Sequence, residues 1–198
     1  MKTDIILAGV GGQGILSIAT VIGLTAVNNK LNIKQAEVHG MSQRGGAVYS
    51  NLRLSDKPIA SDLIPLGKAD IILSVEPMES LRYMPYLAPG GWLVTNTRPF
   101  VNIGNYPDLQ TITDTLSALP NRVLADADTL ALECGSSKAS NMVMLGAAVP
   151  FLNMALPEFE KAISRIFEKK GEAIVKMNIL ALHTGYELAL KECRPENI

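Results

Sequence analysis

The sequence predicts an α/β fold, in which a Rossmann-like, mostly parallel sheet is covered by helices and a helical C-terminal third follows. Short, continuous apolar runs alternate with segments of helical period, as in a sheet buried on both faces. A glycine-rich turn joins the first apolar run to the first helical segment, as in mononucleotide-binding units. The last third of the chain has helical period only. We expect a single domain over residues 1–198, since this length supports one full core.

Six runs predict the strands in chain order. The third, "GGAVYSNLRLS", alternates apolar and polar residues, which is typical of an antiparallel or edge strand, whereas the first, fourth, fifth and sixth contain continuous apolar runs. Pro-Gly-Gly precedes the fifth and predicts a turn there. The predicted strands are "DIILAGVG" (4–11), "IKQAEVHG" (33–40), "GGAVYSNLRLS" (45–55), "ADIILSVEP" (69–77), "GGWLVTNT" (90–97) and "NRVLADAD" (121–128).

The helices are predicted from period and from end signals. From Gly14 to about Asn29 the apolar residues recur on one face, and the other faces are nearly as apolar, so we expect this helix to be covered. Pro157 near a first position and Gly171 just past the end delimit a later helix. Further helices are predicted at 78–87, over "NMVMLGAA" (141–148) and at 172–191. The face of the first helix contains Ile15, Ala19, Ile22 and Ala26.

Composition and charge exclude several functional classes. The formal net charge is −1 and aromatic residues make up 5%, so nothing indicates nucleic-acid binding. No apolar run has membrane-spanning length, and the N-terminus lacks a signal-peptide core and cleavage site, so we expect a cytoplasmic protein with no membrane partner. Two cysteines and two histidines, all far apart, make a metal site within this chain improbable.

The first candidate site is the glycine turn "GVGGQG". Its glycines fit the G-x-G-x-x-G spacing, which allows a tight turn and lets an anionic group approach the N–H groups at the helix N-terminus. Two interpretations stay open here, a bound dinucleotide or a tight corner that only joins strand to helix. Gln13 can donate or accept a hydrogen bond at the mouth of the helix. The anion-binding turn consists of Gly9, Gly11, Gly12, Gln13 and Gly14.

A dinucleotide site also needs an acid on the ribose. Glu37, 23 positions after Gly14, is the candidate, but its strand continues past it and its side chain need not point at the ribose. No Y-x-x-x-K pair occurs, which counts against one large class of NAD(P) enzymes. A free-standing NAD(P)-dependent oxidoreductase and a nucleotide-binding module are the alternative functions.

The second candidate site is the loop "EVHGMSQRGG" (37–46), which follows a strand at the edge where α/β sheets bind ligands. Arg44 can form a two-pronged contact with a carboxylate or phosphate, and the glycines beside it let a partner approach the backbone. His39 could carry a proton, but a half-buried structural histidine is the favoured interpretation. The residues predicted for this substrate, coenzyme A or interface loop are His39, Ser42, Gln43, Arg44, Gly45 and Gly46, with Gly40.

Three further residues have side chains that could serve either structure or function. Asn141 precedes an apolar helix, so it either caps that helix or faces a ligand, and capping is favoured. Cys134 is expected to be a structural thiol near a helix start. His183 is expected at a surface or interface of the last helix. No residue is assigned as a general acid or base.

Together "GVGGQGI", "EVHGMSQRGG" and "NMVMLGAA" resemble one family over essentially the whole chain. They are similar to the gamma-type domain of the 2-oxoacid:ferredoxin oxidoreductases, and within it to the beta subunit of indolepyruvate ferredoxin oxidoreductase. The resemblance implies a complex that decarboxylates a 2-oxo acid, with arylpyruvates as substrates, on thiamine diphosphate. Electrons then pass through iron–sulfur clusters to ferredoxin, and coenzyme A accepts the acyl group.

The resemblance also implies a division of labour. The thiamine diphosphate, its Mg²⁺ and the iron–sulfur clusters belong to a larger alpha subunit, because this chain has two cysteines and no G-D-G segment. This chain alone binds no cofactor and is inactive. Both glycine loops are expected to meet at the carboxyl edge of the sheet and to face the partner in a heterodimer. Without that partner an apolar patch is expected to be exposed, and a homodimer is possible.

Overall fold

A computed structural model describes residues 1–39, 45–101 and 103–193, of which residue 39 is described by its backbone alone. These residues form a sheet with helices on both faces. The strands are β1 (Lys2–Val10), β2 (Asn32–His39), β3 (Ala47–Ser55), β4 (Ala69–Ser74), β5 (Leu87–Asn96) and β6 (Arg122–Ala125). The helices are α1 (Ile15–Asn28), α2 (Pro77–Arg82), α3 (Leu109–Ser117), α4 (Ala127–Glu133), α5 (Ser140–Ala148), α6 (Leu156–Phe167) and α7 (Glu172–Glu192).

The sheet has the strand order β2-β3-β1-β4-β5-β6. Strands β1, β4, β5 and β6 are parallel, whereas β3 is antiparallel to both of its neighbours. The predicted mostly parallel sheet and the helical C-terminal third are therefore confirmed, and so is the antiparallel direction of β3. The alternative that β3 lies at an edge is wrong. It pairs with β1 on one side and with β2 on the other, and β2 is the edge strand.

The sheet separates two apolar cores. Side chains of a strand alternate between its faces, and β1 follows this period of two. Ile5 and Leu7 pack into the core shared with α1, α5, α6 and α7, while Ile6 and Ala8 pack into the core under α2 and α3. All four are essentially inaccessible to solvent, which explains why the first strand reads as a continuous apolar run.

The helices α5 and α7 cross at unusually short range. A Cβ atom added to Gly146 of α5 would lie 1.9 Å from the carbonyl oxygen of Leu182, and one added to Gly185 of α7 would lie 1.9 Å from that of Val143. Each glycine therefore faces the backbone of the other helix with no room for a side chain. This crossing fixes α5 against the C-terminal helix and, through α5, supports the carboxyl edge of the sheet.

The helix predictions are largely confirmed. The predicted face of α1 is buried, but Leu16 is 51% and Val27 57% exposed, so the helix is not covered all round in this chain alone. The helix predicted at 78–87 is shorter, since α2 ends at Arg82 and a 3₁₀ turn (Met84–Tyr86) follows. The helix predicted to run to residue 170 ends in a 3₁₀ turn (Glu168–Lys170), and α3 was not predicted.

The amino edge of the sheet contains a buried ion pair. Asp4 on β1 is 1% exposed and accepts hydrogen bonds from Arg53 Nε (2.8 Å) and Nη2 (3.0 Å) on β3. Lys2 Nζ lies 2.7 Å from the same carboxylate. Arg53 also donates to the carbonyls of Ser61 and Leu63. This network ties β3 to β1 at the end opposite to the glycine turn.

Among the helices described, none is long and apolar enough to span a membrane.

Candidate functional site

The glycine turn lies where β1 ends and α1 begins. Gly14 is the N-cap residue of α1 and has φ +83°, a left-handed conformation that favours glycine. No side chain caps α1, and within the described residues the amides of Ile15 and Leu16 donate to no acceptor. The turn therefore presents bare N–H donors at the positive end of a helix of fourteen residues, which is suited to an anionic group.

Gln13 uses its side chain inside the protein. Its Oε1 accepts from the Val10 amide at 2.8 Å, and its Nε2 lies 3.4 Å from the Val75 carbonyl just after β4. Both of these hydrogen-bond partners belong to this chain. Gln13 therefore fixes the turn to the ends of two parallel strands.

The loop between β2 and β3 adjoins the glycine turn. The Gly11 amide donates to the Gly46 carbonyl at 2.9 Å, which joins the glycine turn to the end of the second glycine segment. Gly45 has φ +76°. The side chain of His39 and the predicted residues Gly40, Ser42, Gln43 and Arg44 lie outside the described part of the chain.

A pocket of about 290 Å³ opens beside the turn. Glu37 of β2 is among the residues that line this pocket, together with residues of the turn. In a dinucleotide fold, however, the acid stands on the strand next to β1. Here β3 separates β2 from β1, which puts Glu37 one strand farther away. The pocket is lined by Val10, Gly11, Gly12, Gly14, Ile15, Leu16, Glu37 and Val48.

A second cavity, of about 190 Å³, lies on the other side of Gln13. Its polar wall includes Asn96, which is the last residue of β5 and is 4% exposed. The side-chain Nδ2 of Asn96 donates to Asp128 Oδ2 (3.1 Å), and its Oδ1 accepts from the backbone amide of Ala127 (3.1 Å). The cavity is lined by Gln13, Val75, Asn96, Arg98, Pro99, Phe100, Asp128, Ser140 and Met144.

An ion pair flanks this cavity. Arg98 Nε lies 3.1 Å from both carboxylate oxygens of Asp126, the N-cap residue of α4. Burial by itself raises the pKa of Asp126, but hydrogen bonds from Arg98 and from Thr129 outweigh it and hold this pKa below its ordinary value. Asp126 is thus a structural carboxylate that stays ionised, and Arg98 is already partnered within the chain.

A fully buried carboxylate lies behind the cavity. Glu76 caps α2 and accepts from the Glu79 amide (2.8 Å), the Phe100 amide (3.2 Å) and the Tyr106 hydroxyl (2.5 Å). Burial, and then the hydrogen bond to Glu76, raise the pKa of Tyr106, so this phenol remains a donor. Glu76 therefore anchors the segment after β5 to the end of β4.

Sequence reasoning missed these polar residues of the carboxyl edge. A signal for them exists, since each lies at the carboxyl end of a parallel strand: Glu76 is two residues past β4, Asn96 is the last residue of β5 and Asp126 directly follows β6. The carboxyl ends of parallel strands meet at one edge, so polar residues at these positions are expected close together.

The structure corrects the favoured interpretation of Asn141. The residue lies inside α5, whose N-cap residue is Ala139, and it forms no capping bond. Its Nδ2 instead donates to the Gly14 carbonyl at 3.3 Å, across 127 positions of sequence. Asn141 is not among the residues lining either cavity at this edge.

The remaining predictions concern the far helices. Cys134 lies at the C-terminal end of α4, not near a helix start, and its Sγ is 3.4 Å from Thr184 Oγ1. His183 lies on the α7 surface as expected, with Nε2 2.8 Å from Glu160 Oε1 of α6. Both contacts join helices and neither residue reaches the carboxyl edge.

The cofactors implied by the resemblance do not fit the residues described. Iron–sulfur clusters take about four cysteine thiolates, and the chain has two cysteines, on different helix ends. Within residues 1–39, 45–101 and 103–193, no group of three or more His, Cys, Asp or Glu is arranged to hold a metal ion. An anion at the glycine turn is the group that the described backbone does fit.

A family profile described as "Pyruvate ferredoxin/flavodoxin oxidoreductase" matches residues 4–188. The chain is 36% identical to the indolepyruvate oxidoreductase subunit IorB of Archaeoglobus fulgidus, over 96% of each chain. It is 39% identical to the protein of the same name from Thermococcus kodakarensis, over 94% of this chain and 95% of that one. Identity to the 2-oxoglutarate synthase subunit KorC of Methanocaldococcus jannaschii is 30%, over 96% and 95%.

Two solved structures share the fold. The pyruvate oxidoreductase subunit PORC of Thermotoga maritima matches with a TM-score of 0.72 and 21% identity, over 94% of this chain and 96% of that one. The 2-oxoglutarate:ferredoxin oxidoreductase of Magnetococcus marinus, solved with 2-oxoglutarate, coenzyme A and succinyl-CoA bound, matches with a TM-score of 0.77 and 22% identity. That match covers 96% of this chain and 31% of the longer polypeptide, so this chain spans about a third of it.

Proposed function

The chain belongs to the pyruvate ferredoxin/flavodoxin oxidoreductase family, and on that premise we propose that it is the small subunit of an indolepyruvate:ferredoxin oxidoreductase. The complex oxidatively decarboxylates indolepyruvate and related arylpyruvates to aryl-acetyl-CoA, releases CO₂ and passes two electrons to ferredoxin. The choice of substrate rests on sequence identity to relatives named for different substrates. Four relatives named for indolepyruvate are 34–41% identical to the chain, whereas four named for 2-oxoglutarate are 24–30% identical.

The proposal assigns the redox chemistry to a larger partner subunit, which holds thiamine diphosphate, Mg²⁺ and the iron–sulfur clusters. The sequence has two cysteines, and among the residues that the structure describes no group of His, Cys, Asp or Glu is arranged to hold a metal ion, which supports that assignment. Residues 1–198 act as one gamma-type domain of a cytoplasmic heterodimer. Without its partner the chain is inactive and can pair with a second copy through apolar surface such as Leu16, which is 51% exposed beside the turn.

The proposed contribution of this chain is the carboxyl edge of its sheet. The contact between Gly11 and Gly46 joins the two glycine segments, and the pocket of about 290 Å³ beside them offers bare helix amides to an anion. Coenzyme A carries phosphates and the substrate a carboxylate, and either suits such a site. Arg44, on the same loop, supplies the cation that pairs with this anionic group, while His39, Ser42 and Gln43 complete the contact with ligand or partner.

The test is reconstitution. The chain is co-expressed with the larger subunit from the same source, and ferredoxin reduction is followed with indolepyruvate and coenzyme A. The wild-type pair is expected to reduce ferredoxin and each subunit alone to be inactive. Arg44→Ala is expected to lower activity by about tenfold or more without unfolding the subunit, since a two-pronged ionic contact is lost. Arg165→Ala, an exposed arginine on α6, is the matched control and should leave activity unchanged.

Full activity of the Arg44→Ala complex would contradict the role of Arg44 but not the subunit assignment. A wild-type pair that forms yet reduces no ferredoxin with any arylpyruvate would contradict the proposed function itself.

One observation favours a second candidate. Glu37 lines the pocket of the glycine turn, as an acid does in NAD(P) sites. Binding of NAD(H) or another nucleotide by the isolated chain, measured by calorimetry, would support a nucleotide-binding module. The intervening strand β3 makes this the weaker candidate, because it moves the acid away from β1.

A further inference from the structure

One residue of the C-terminal helical region, Asn141, contacts the glycine turn. Gly14 has φ +83° and ψ +23°, and it is the last residue before α1. The direction in which the first amides of α1 point is set by these two angles. Anything that holds the Gly14 peptide therefore also aims the amides that face the pocket.

Asn141 contacts this peptide and is not among the residues that line the pocket. Its Nδ2 donates to the Gly14 carbonyl at 3.3 Å, where the amides of Ser17 (3.0 Å) and Ile18 (3.3 Å) also donate. The side chain lies flat against the Gly14 Cα, because a Cβ there would be 2.5 Å from Nδ2 and 3.1 Å from Cγ. Hydrogen bond and steric contact thus act on the same residue.

Asn141 is itself firmly held. It is the second residue of α5, in which every residue from 142 to 148 is buried, and that helix crosses α7 at the Gly146–Gly185 contact. A side chain on such a helix has a fixed position relative to the sheet. The half-buried side-chain amide of Asn141 can therefore restrict the movement of Gly14.

Gln13 holds the turn from its other side. Its bonds to the Val10 amide and toward the Val75 carbonyl tie it to β1 and β4. The turn is thus fixed by three parts of the chain that are far apart in sequence, namely β1, the end of β4 and α5.

We infer that Asn141 is a positioning residue, which sets the anion-binding geometry of the glycine turn through Gly14 without touching the ligand. Because Asn141 lines neither cavity at this edge, its removal changes the aim of the amides and leaves the surface of the pocket in place. The inference rests on the proposed function, in which the turn receives an anionic group of coenzyme A or of the 2-oxo acid.

The experiment uses the reconstituted complex and compares two substitutions. Asn141→Ala removes both the hydrogen bond and the steric contact. Asn141→Asp keeps the shape but lacks the N–H donor at neutral pH. Each variant is expected to raise the KM for coenzyme A or for indolepyruvate by about threefold to tenfold, the effect of one lost hydrogen bond, with kcat changed less than about twofold.

Asn32→Ala is the matched control. The amide of Asn32 also donates to a backbone carbonyl at 3.3 Å, that of Ser55, but at the amino edge of the sheet. It should leave both KM values unchanged. A merely structural role of Asn141 predicts a loss of stability or of active complex with unchanged KM, and that outcome overturns the inference.

The two proposals fail in different ways. An inactive wild-type complex contradicts the proposed function. An active complex in which both Asn141 variants keep wild-type KM values contradicts the positioning role alone. If Asn141→Ala does not fold, Asn141→Asp decides by itself, since it retains the packing against Gly14.

Discussion

The crossing of α5 and α7 gives the sharpest prediction for stability. In isolation, Gly146→Ala should stabilise a helix by about 1 kcal/mol, because glycine is a poor helix former. In this fold the new Cβ would lie 1.9 Å from the Leu182 carbonyl oxygen, 1.1 Å short of the 3.0 Å that real Cβ contacts keep. The Leu182 carbonyl oxygen is a backbone atom and cannot rotate away, so the two helices must separate.

The magnitude follows from that separation. A gap of up to about 1 Å forfeits a quarter to a half of the dispersion attraction between the facing atoms, and overpacking typically costs about 1–3 kcal/mol. The obstructing atom is backbone, so we take the upper end of that range. With the gain of about 1 kcal/mol in helix propensity subtracted, we expect Gly146→Ala to lower the free energy of unfolding by about 2 kcal/mol. Gly185→Ala should have a similar cost. The double variant should cost less than the sum, since both substitutions open the same crossing.

The assay is urea unfolding of the isolated chain, followed by fluorescence. Trp92 is the one tryptophan in the sequence, and its ring stacks on that of Phe151 with 4.3 Å between the ring centroids. Phe151 lies in the 3₁₀ turn that follows α5, so the emission of Trp92 reports on the docking of this helix. Gly23→Ala in α1 is the control, because its Cβ meets only the flexible end of Ile33, at 3.1 Å. It should be neutral or stabilising. A loss below about 1 kcal/mol for Gly146→Ala would refute the reasoning.

Three further predictions follow. Gly14→Ala should lower the free energy of unfolding by about 2 kcal/mol, because alanine is strained in the left-handed conformation and its Cβ would press on Asn141. The loss should be smaller when Asn141→Ala is also present. Equal losses in both backgrounds would exclude the contact. Asp4→Asn should lower the free energy of unfolding, measured in urea, by about 3 kcal/mol, because the Arg53 guanidinium then lacks its buried carboxylate partner. A loss under about 1 kcal/mol would contradict this. Burial raises the pKa of Glu79 above its ordinary 4.5, against the opposing Arg82, so ionisation disfavours the folded state. The free energy of unfolding of wild type relative to Glu79→Gln should therefore increase as pH falls from neutral toward about 4.5, and a constant difference would contradict the sign.

Local patterns in the sequence predicted the elements well. The apolar run before "GGQG" gave β1, and the spacing of Ile15, Ala19 and Ile22 gave the buried face of α1. Pro157 and Gly171 gave the bounds of α6 within a few residues. These succeed because period, turn chemistry and helix-end signals act between residues that are close in the chain. The helix α3 was missed because its buried face contains only Ile112 and Leu116.

The candidate site was predicted in part. The glycine turn and the loop before β3 could be recognised, because glycine spacing at a strand end has a local physical use. The roles of Glu76, Asn96 and Asp126 could not be assigned, since each becomes meaningful only beside the others at the sheet edge. The misreading of Asn141 as a cap has the same origin, because its partner Gly14 is 127 positions away.

The sequence by itself therefore determined the fold class, the elements and the family resemblance, all of which rest on short-range pattern. Only the tertiary structure decided that β3 lies between β1 and β2, that α5 meets α7 through Gly146 and Gly185, and that Asn141 supports the turn. Strand order and helix crossings depend on which distant segments pack together to bury apolar surface and satisfy backbone hydrogen bonds. That choice is made by the whole chain at once, and no single segment encodes it.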